Sequence, residues 1–250
     1  MINSETRDLL MEYAARYENA EFLKGDPSWF MHQVQGVENQ ECMAFLASCL
    51  SYGSRAQFLP KIAFLLEKSE GQPYDWIKSS AFEKEFGKSD KRCFYRLYDN
   101  ALMRVFFDVF RQMLLEYGSL GAFVEREASD GFSAVAAICR YFGERGVSPV
   151  IPKDAQSACK RVCMFLRWMV RSGSPVDLGL WADIIDRRTL IMPLDTHVLT
   201  QAYRLGLLRS KTSSMATARR LTEILSEVFP DDPLRGDFAL FGYGVNNKNS

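Results

Sequence analysis

The sequence predicts an all-α protein. Almost every long stretch of its 250 residues repeats its apolar side chains with helical period. No run alternates with period two between hairpin signals, so no β-strand is expected. The chain is 47% hydrophobic and 25% charged, as a globular protein is, and it is long enough for one large domain or two lobes that share packing.

The elements follow in order. "TRDLLMEYAARYENAEFL" carries an apolar stripe through Leu9, Leu10, Tyr13, Ala14 and Tyr17. "ECMAFLASCLSYG" is apolar nearly all round and stops at Gly53, which reads as a buried central helix. "RAQFLPKIAFLLEKS" follows a tight turn, with Pro60 near its first turns. "CFYRLYDNALMRVFFDVFRQMLLEYG" reads as one long helix or two, ending at Gly118. "SLGAFVERE" and "DGFSAVAAICRYFGERG" are shorter helices. After a loop with Pro149 and Pro152, a helix is expected from about Asp154 to Arg171, ended by Gly173 and Pro175. "LGLWADII" is read as a short helix, and "MPLDTHVLTQAYRLGLL" as a turn and then a helix. "SSMATARRLTEILSEVFP" is amphipathic, with Ser213 or Ser214 as its N-cap, and "DPLRGDFALFGYGVN" is the final helix. Only "NNKNS" is expected to be disordered.

Composition excludes several classes. No segment has the roughly 18 consecutive apolar residues of a membrane span, and the charged N-terminus lacks a signal-peptide block, so a cytoplasmic protein is expected. The six cysteines form no CxxC pair and only two histidines could help them, so no metal or iron–sulfur site is expected and the thiols read as mostly core-filling. Net charge is zero, but it is unevenly spread. Residues 151–220 hold twelve Lys/Arg against five Asp, about +7, and the remainder is about −7. That separation permits a basic face on a neutral protein.

Two stretches can carry chemistry. In "MPLDTHV", Pro193 keeps the residue before it extended, and Asp195 stands where a helix begins. An aspartate there caps the free N–H groups and complements the helix dipole, a structural role that needs no chemistry. His197 falls in the first turn, facing a phosphate or solvent. In "SACKRVCMFLRWMVR", Val162, Cys163, Phe165, Leu166, Met169 and Val170 form a broad buried face, with Lys160 near the N-terminal end. A lysine there opposes the dipole. It is either a surface lysine or an amine tuned as a nucleophile.

Together these stretches resemble the catalytic half of the helix-hairpin-helix DNA glycosylase superfamily, which includes endonuclease III and the 8-oxoguanine glycosylases. "MPLDTHV" follows the "P-V-D-T-H-V"-like turn of that superfamily, with Leu194 for valine, and Lys160 matches the lysine of its bifunctional members. The 35-residue separation of Lys160 and Asp195 is nearest the archaeal 8-oxoguanine glycosylase type, with "DLGLWADIIDRRTLI" as the insertion. The chain also resembles an uncharacterised bacterial family on this plan, through "CKRVCMFLRWMVR", "PLDTH" and "DFALFGYG". It departs in two ways. The loop before Lys160 has Gly143 and Gly146 but no Gly-x-Gly, and the iron–sulfur cysteines of the endonuclease III branch are missing, as they are in the 8-oxoguanine branches.

The resemblance implies a two-lobed helical helix-hairpin-helix glycosylase-like fold with a cleft between lobes of roughly 25–130 and 131–250, the N-terminal helix packing on the second. It implies base-excision repair of double-stranded DNA, removing an oxidised purine such as 8-oxoguanine without a cofactor or metal. Lys160 would be the nucleophile and Asp195 the stabilising carboxylate, with AP lyase activity following. Tyr52, Arg55, Trp168, Trp181, Phe238 and Phe241 are candidates for a base pocket. Lys153, Arg161, Arg167, Arg171 and His197 are candidates for phosphate contacts. A monomer away from membranes, associated with the nucleoid if bacterial, is expected. Two alternatives stand: a DNA-binding or lesion-sensing module that lacks catalysis, and a helical interaction protein in which Lys160 and Asp195 are structural.

Overall fold

The structure is a computed structural model and describes residues 2–247. Asn3 opens the first helix, α1 (Ser4–Tyr17), by accepting the Thr6 N–H at 2.7 Å. There follow α2 (Val37–Leu50), α3 (Arg55–Lys68) and the short α4 (Pro73–Lys78). Next come a small hairpin of β1 (Cys93–Tyr95) and β2 (Tyr98–Asp99), then α5 (Asn100–Tyr117), α6 (Leu120–Glu127) and α7 (Gly131–Gly143). The chain ends with α8 (Lys160–Val170), α9 (Thr196–Arg204), α10 (Met215–Ser226) and α11 (Arg235–Asn246). The class is all-α, as the periodicity predicts. Of the "NNKNS" tail, Asn246 closes α11 and Asn247 caps it, and the last three residues lie outside the described residues.

Contacts divide the chain into two units. One comprises the residues up to Phe22, Asp130–Val135 and those from Ala155 on; the other is Leu23–Ser129 with Ala136–Asp154. The second unit is built round α2, which is buried from Glu41 to Leu50. Phe45 of that helix meets Phe110 at 5.1 Å and Phe142 at 5.2 Å between ring centroids. Glu41 is the buried exception, and its carboxylate accepts the Gly121 N–H that opens α6. In the first unit α11 packs on both α1 and α9. A Cβ at Gly242 would overlap the Tyr17 ring, and one at Gly244 would overlap the His197 ring, so glycine at both positions allows the close approach.

Three sequence expectations are corrected. "CFYRLYD" does not belong to the long helix. It forms the β1–β2 hairpin, and Asp99 then caps α5 by accepting the Leu102 N–H at 2.7 Å. Helix α8 begins at Lys160 and not near Asp154. Residues 155–158 are turn, bend and irregular chain, the Gln156 carbonyl accepts the Met215 N–H, and Cys159 adopts a left-handed φ of +46° that a continuing α-helix cannot contain. "LGLWADII" is a run of turns. Gly179 has a φ of +66° against the Arg171–Ser172 backbone, and the N–H groups of Leu178, Gly179 and Trp181 satisfy the Trp168 and Met169 carbonyls at the end of α8. All six cysteines are free thiols, and five of them are buried.

Candidate active site

The local sequence delivers two side chains to one place. Residues 190–194 are extended and buried, and the Met192 N–H is pinned to Thr222 Oγ1 at 2.9 Å. The chain therefore arrives at Asp195 in extended conformation, as an N-cap requires. Asp195 Oδ1 accepts the Val198 N–H at 2.8 Å, and Oδ2 lies 4.0 Å from Lys160 Nζ. Lys160 is the first residue of α8, directly after the left-handed Cys159. Its side chain is 28% exposed and that of Asp195 is 42%, so the pair is reachable from solvent. Both stand at helix N-termini, where the free N–H groups favour a carboxylate and work against an ammonium.

A third group belongs here. Asp237 lies in the first turn of α11, and its carboxyl is pushed up by burial against the pull of the Arg167 guanidinium. Asp195 pushes it further up and Lys160 draws it down, so both are electrostatic neighbours. Asp237 is not among the sequence candidates, because the aromatics are the stronger pattern in "GDFALFGYG". The signal was an acid at the start of a helix, one turn before Phe241 and on the same face.

Behind the site runs a buried ion lattice. Arg167 is hydrogen-bonded to Asp237 and, through Nε, to Asp177 Oδ1 at 3.2 Å. Arg171 binds Asp177, both oxygens of Asp232 at 2.8 Å, and Glu18 Oε1 at 2.6 Å. Arg235 holds the other Glu18 oxygen at 3.0 Å. Neutral replacement of one member would strand its partner away from water, which is why such lattices are rigid.

This lattice overturns several expected roles. Arg167 and Arg171 are buried and fully engaged, so they are not phosphate contacts. Trp168 is 0% exposed and Trp181 1%, the latter edge-on to Phe165, so both are core residues and not stacking platforms. Phe238 is buried beneath the Arg167 and Arg171 guanidinium groups, 4.7 and 5.4 Å from its ring centre. His197 Nε2 is buried where the ring meets Gly244, which takes that atom away from any phosphate. Phe241 is half-buried among Phe22, Tyr17 and His197. Arg161 is half-buried on α8. Lys153, Tyr52 and Arg55 belong to the other unit: Lys153 is exposed, Tyr52 is half-buried against Tyr95 and Tyr98, and Arg55 pairs with Asp26 at 3.3 Å.

A family model described as a protein of unknown function (DUF2400) matches residues 26–246, which include Lys160, Asp195 and Asp237. The chain belongs to that family. No curated protein and no solved structure matches it. Among the described residues, no helix is long and apolar enough to cross a membrane.

Proposed function

We propose that this protein is a lysine-dependent DNA glycosylase with AP lyase activity, acting on an oxidised purine such as 8-oxoguanine in duplex DNA. One observation carries the reading: the Lys160 amine and the Asp195 carboxylate, 35 residues apart, converge at 4.0 Å on two helix N-termini. Those two residues also carry the resemblance to helix-hairpin-helix glycosylases, and the finer fold assignment is part of the same proposal.

The chemistry balances on the residues present. A damaged nucleotide is flipped out of the stack, because its sugar cannot be attacked inside the duplex. The neutral Lys160 amine forms a bond to C1′ as the glycosidic C–N bond breaks and its electron pair leaves with the base. The Asp195 carboxylate stabilises the positive charge that develops on the sugar. Proton loss from the nitrogen and ring opening leave an imine between Lys160 and the sugar. Removal of a C2′ proton then expels the 3′ phosphate and cuts the strand, and water releases the lysine. Asp195 and Asp237 are the two acids near enough to hold or pass protons. Phe241 keeps partial exposure one turn beyond Asp237 and is the remaining stacking candidate on α11.

The test is covalent trapping. Duplex carrying 8-oxoguanine or an abasic site, incubated with the protein and borohydride, gives an adduct with the wild type and none with Lys160→Gln. Identical behaviour of the two ends the proposal. The second reading, a DNA-binding module without catalysis, draws on the absence of Gly-x-Gly between α7 and α8. It predicts duplex binding with no adduct.

A further inference from the structure

The turn that opens α8 carries a second inference. Among the described residues, four other than glycine have a positive φ: Glu70, Ser80, Arg96 and Cys159. The first three carry polar side chains at exposed or half-buried positions, but Cys159 is only 3% exposed. It stands directly before Lys160 at φ +46° and ψ +35°, and its side chain makes no capping bond to the helix. An N-cap is ordinarily extended, with a side-chain oxygen on a free N–H. Asp99, Asp195 and Ser214 are caps of that kind, and Cys159 departs on both counts. A left-handed residue with a side chain is costly and persists where its surroundings over-determine it. No glycine lies between Gly146 and Gly173 to make this turn without that cost.

The surroundings can be named. The Cys159 carbonyl accepts the Cys163 N–H at 3.0 Å, closing the first turn of α8. Cys163 Sγ, buried behind that turn, donates to the Ala158 carbonyl at 3.6 Å, and Ser157 Oγ lies 3.4 Å from Cys159 Sγ. Burial pushes the Cys163 thiol well above its ordinary range, so it remains an S–H and keeps its donor. One residue further back, the Gln156 carbonyl accepts the Met215 N–H at 3.3 Å, which ties the turn to α10. Two thiols, a hydroxyl and a backbone bond thus fix residues 156–159 from both sides.

What the turn fixes is the place of Lys160 in its helix. Helical side chains lean toward the N-terminus and lie over the preceding turn. Were α8 to run on back to Asp154, Lys160 would stand in its second turn, with its stem over residues 156 and 157. The left-handed Cys159 removes that turn. Lys160 becomes the first helical residue, its side chain leaves the end of the helix, and its Nζ stands 4.0 Å from Asp195 Oδ2. The nucleophile of the proposed reaction is aimed by the backbone of the residue before it.

We infer that Cys159 is a positioning residue for Lys160, acting through its left-handed backbone and not through its sulfur. This rests on the proposed lysine chemistry. The test is a series at one position: Cys159→Gly, Cys159→Asn, Cys159→Ala and Cys159→Val. All four lack the thiol, and in that order they tolerate a positive φ less and less. The full chain, in excess over a duplex with an abasic site, is trapped with borohydride in single-turnover time courses. Cys159→Gly and Cys159→Asn should form the adduct within about twofold of the wild-type rate, and Cys159→Val roughly tenfold more slowly. Duplex affinity, followed by anisotropy, should be alike across the series, so that the loss falls on the step Lys160 performs. If Cys159→Val does not fold, Cys159→Ala decides: a rate several-fold below that of Cys159→Gly supports the inference, and an equal rate overturns it. Equal rates for Cys159→Gly and Cys159→Val overturn it too, whether both are fast, so that the turn is dispensable, or both slow, so that the sulfur is what counts. A loss that falls on duplex affinity instead also overturns it. Each of those results leaves the wild-type adduct and the proposed function standing, whereas a wild type that forms no adduct overturns both.

Discussion

Asp195 has two oxygens and two tasks. Oδ1 closes the first turn of α9 through the Val198 N–H, while Oδ2 faces the Lys160 amine at 4.0 Å. A cap is held at a fixed angle by the helix it begins, so the second oxygen is positioned at no extra entropic cost. The two tasks separate by mutation. Asn caps as well as Asp but carries no charge. Asp195→Asn should therefore leave Tm nearly unchanged, and Asp195→Ala should cost about 1 kcal/mol of stability. Both should reduce borohydride trapping and base release by comparable factors. If Asp195→Asn keeps full activity, the carboxylate is structural only. Asp195 is legible because local chemistry marks a helix start, whereas Lys160 is reached only through the resemblance, since the sequence places the start of its helix near Asp154. Sequence reading misplaced Arg167 and Arg171 because an arginine on a helix looks solvated until its partners are known. Those partners, Asp177, Asp232, Asp237 and Glu18, lie 6 to 153 residues away, beyond any periodicity.

At the scale of elements, α8 is buried from Val162 to Val170; its Arg167 ties it to α11, and its C-cap Arg171 to Glu18 at the end of α1. Glu18, just past the end of α1, joins Arg171, just past the end of α8, to Arg235 of α11. Burial alone would raise the Glu18 carboxyl, but Arg171, with Ser174 and Arg235, outweighs it and holds the group below its ordinary 4.5. A carboxyl lowered by folding contributes stability that is complete above the ordinary value and is lost as pH falls through the lowered one. Glu18→Gln should therefore cost roughly 1–3 kcal/mol near neutrality. The gap to wild type should narrow steadily once the pH drops below about 4.5. Thermal melts followed by circular dichroism at several pH values check this, and a gap that does not change with pH shows that Glu18 acts by packing. The helices themselves were legible where a cap and an apolar stripe agree, as in α5, α6 and α10. The β1–β2 hairpin was not, because strands of three and two residues are too short for alternation to show against the helix that follows. The turns of 178–185 were not legible either. The N–H groups of Leu178, Gly179 and Trp181 are satisfied by α8 carbonyls, a tertiary arrangement that no local pattern announces.

For the whole molecule the relevant quantity is charge, since the chain is neutral yet is proposed to bind a polyanion. The cationic stretch 151–220 counts for less at the surface than in the sequence, because Arg167 and Arg171 are consumed inside and Arg188 is paired with Asp186 at 2.5 Å. Arg209, Lys211 and Arg219 remain exposed between the end of α9 and the middle of α10. If DNA runs along them, each phosphate neutralised releases condensed counterions, and log K falls against log salt with a slope of about −0.9 per contact. Replacing all three by alanine should then flatten the slope by up to about 2.7 while leaving discrimination between damaged and intact duplex unchanged. Lys160→Gln should do the reverse, abolishing the adduct with little change in slope, because one partly exposed lysine supplies at most one contact. Fluorescence anisotropy over a series of salt concentrations measures both. A triple variant with the wild-type slope would place the phosphate track elsewhere, with the exposed cations on and just before the hairpin, Lys91, Arg92 and Arg96, as the next set to neutralise. A neutral protein gains little from long-range steering, so any salt dependence of its association rate with duplex should come from these local patches and be shallow.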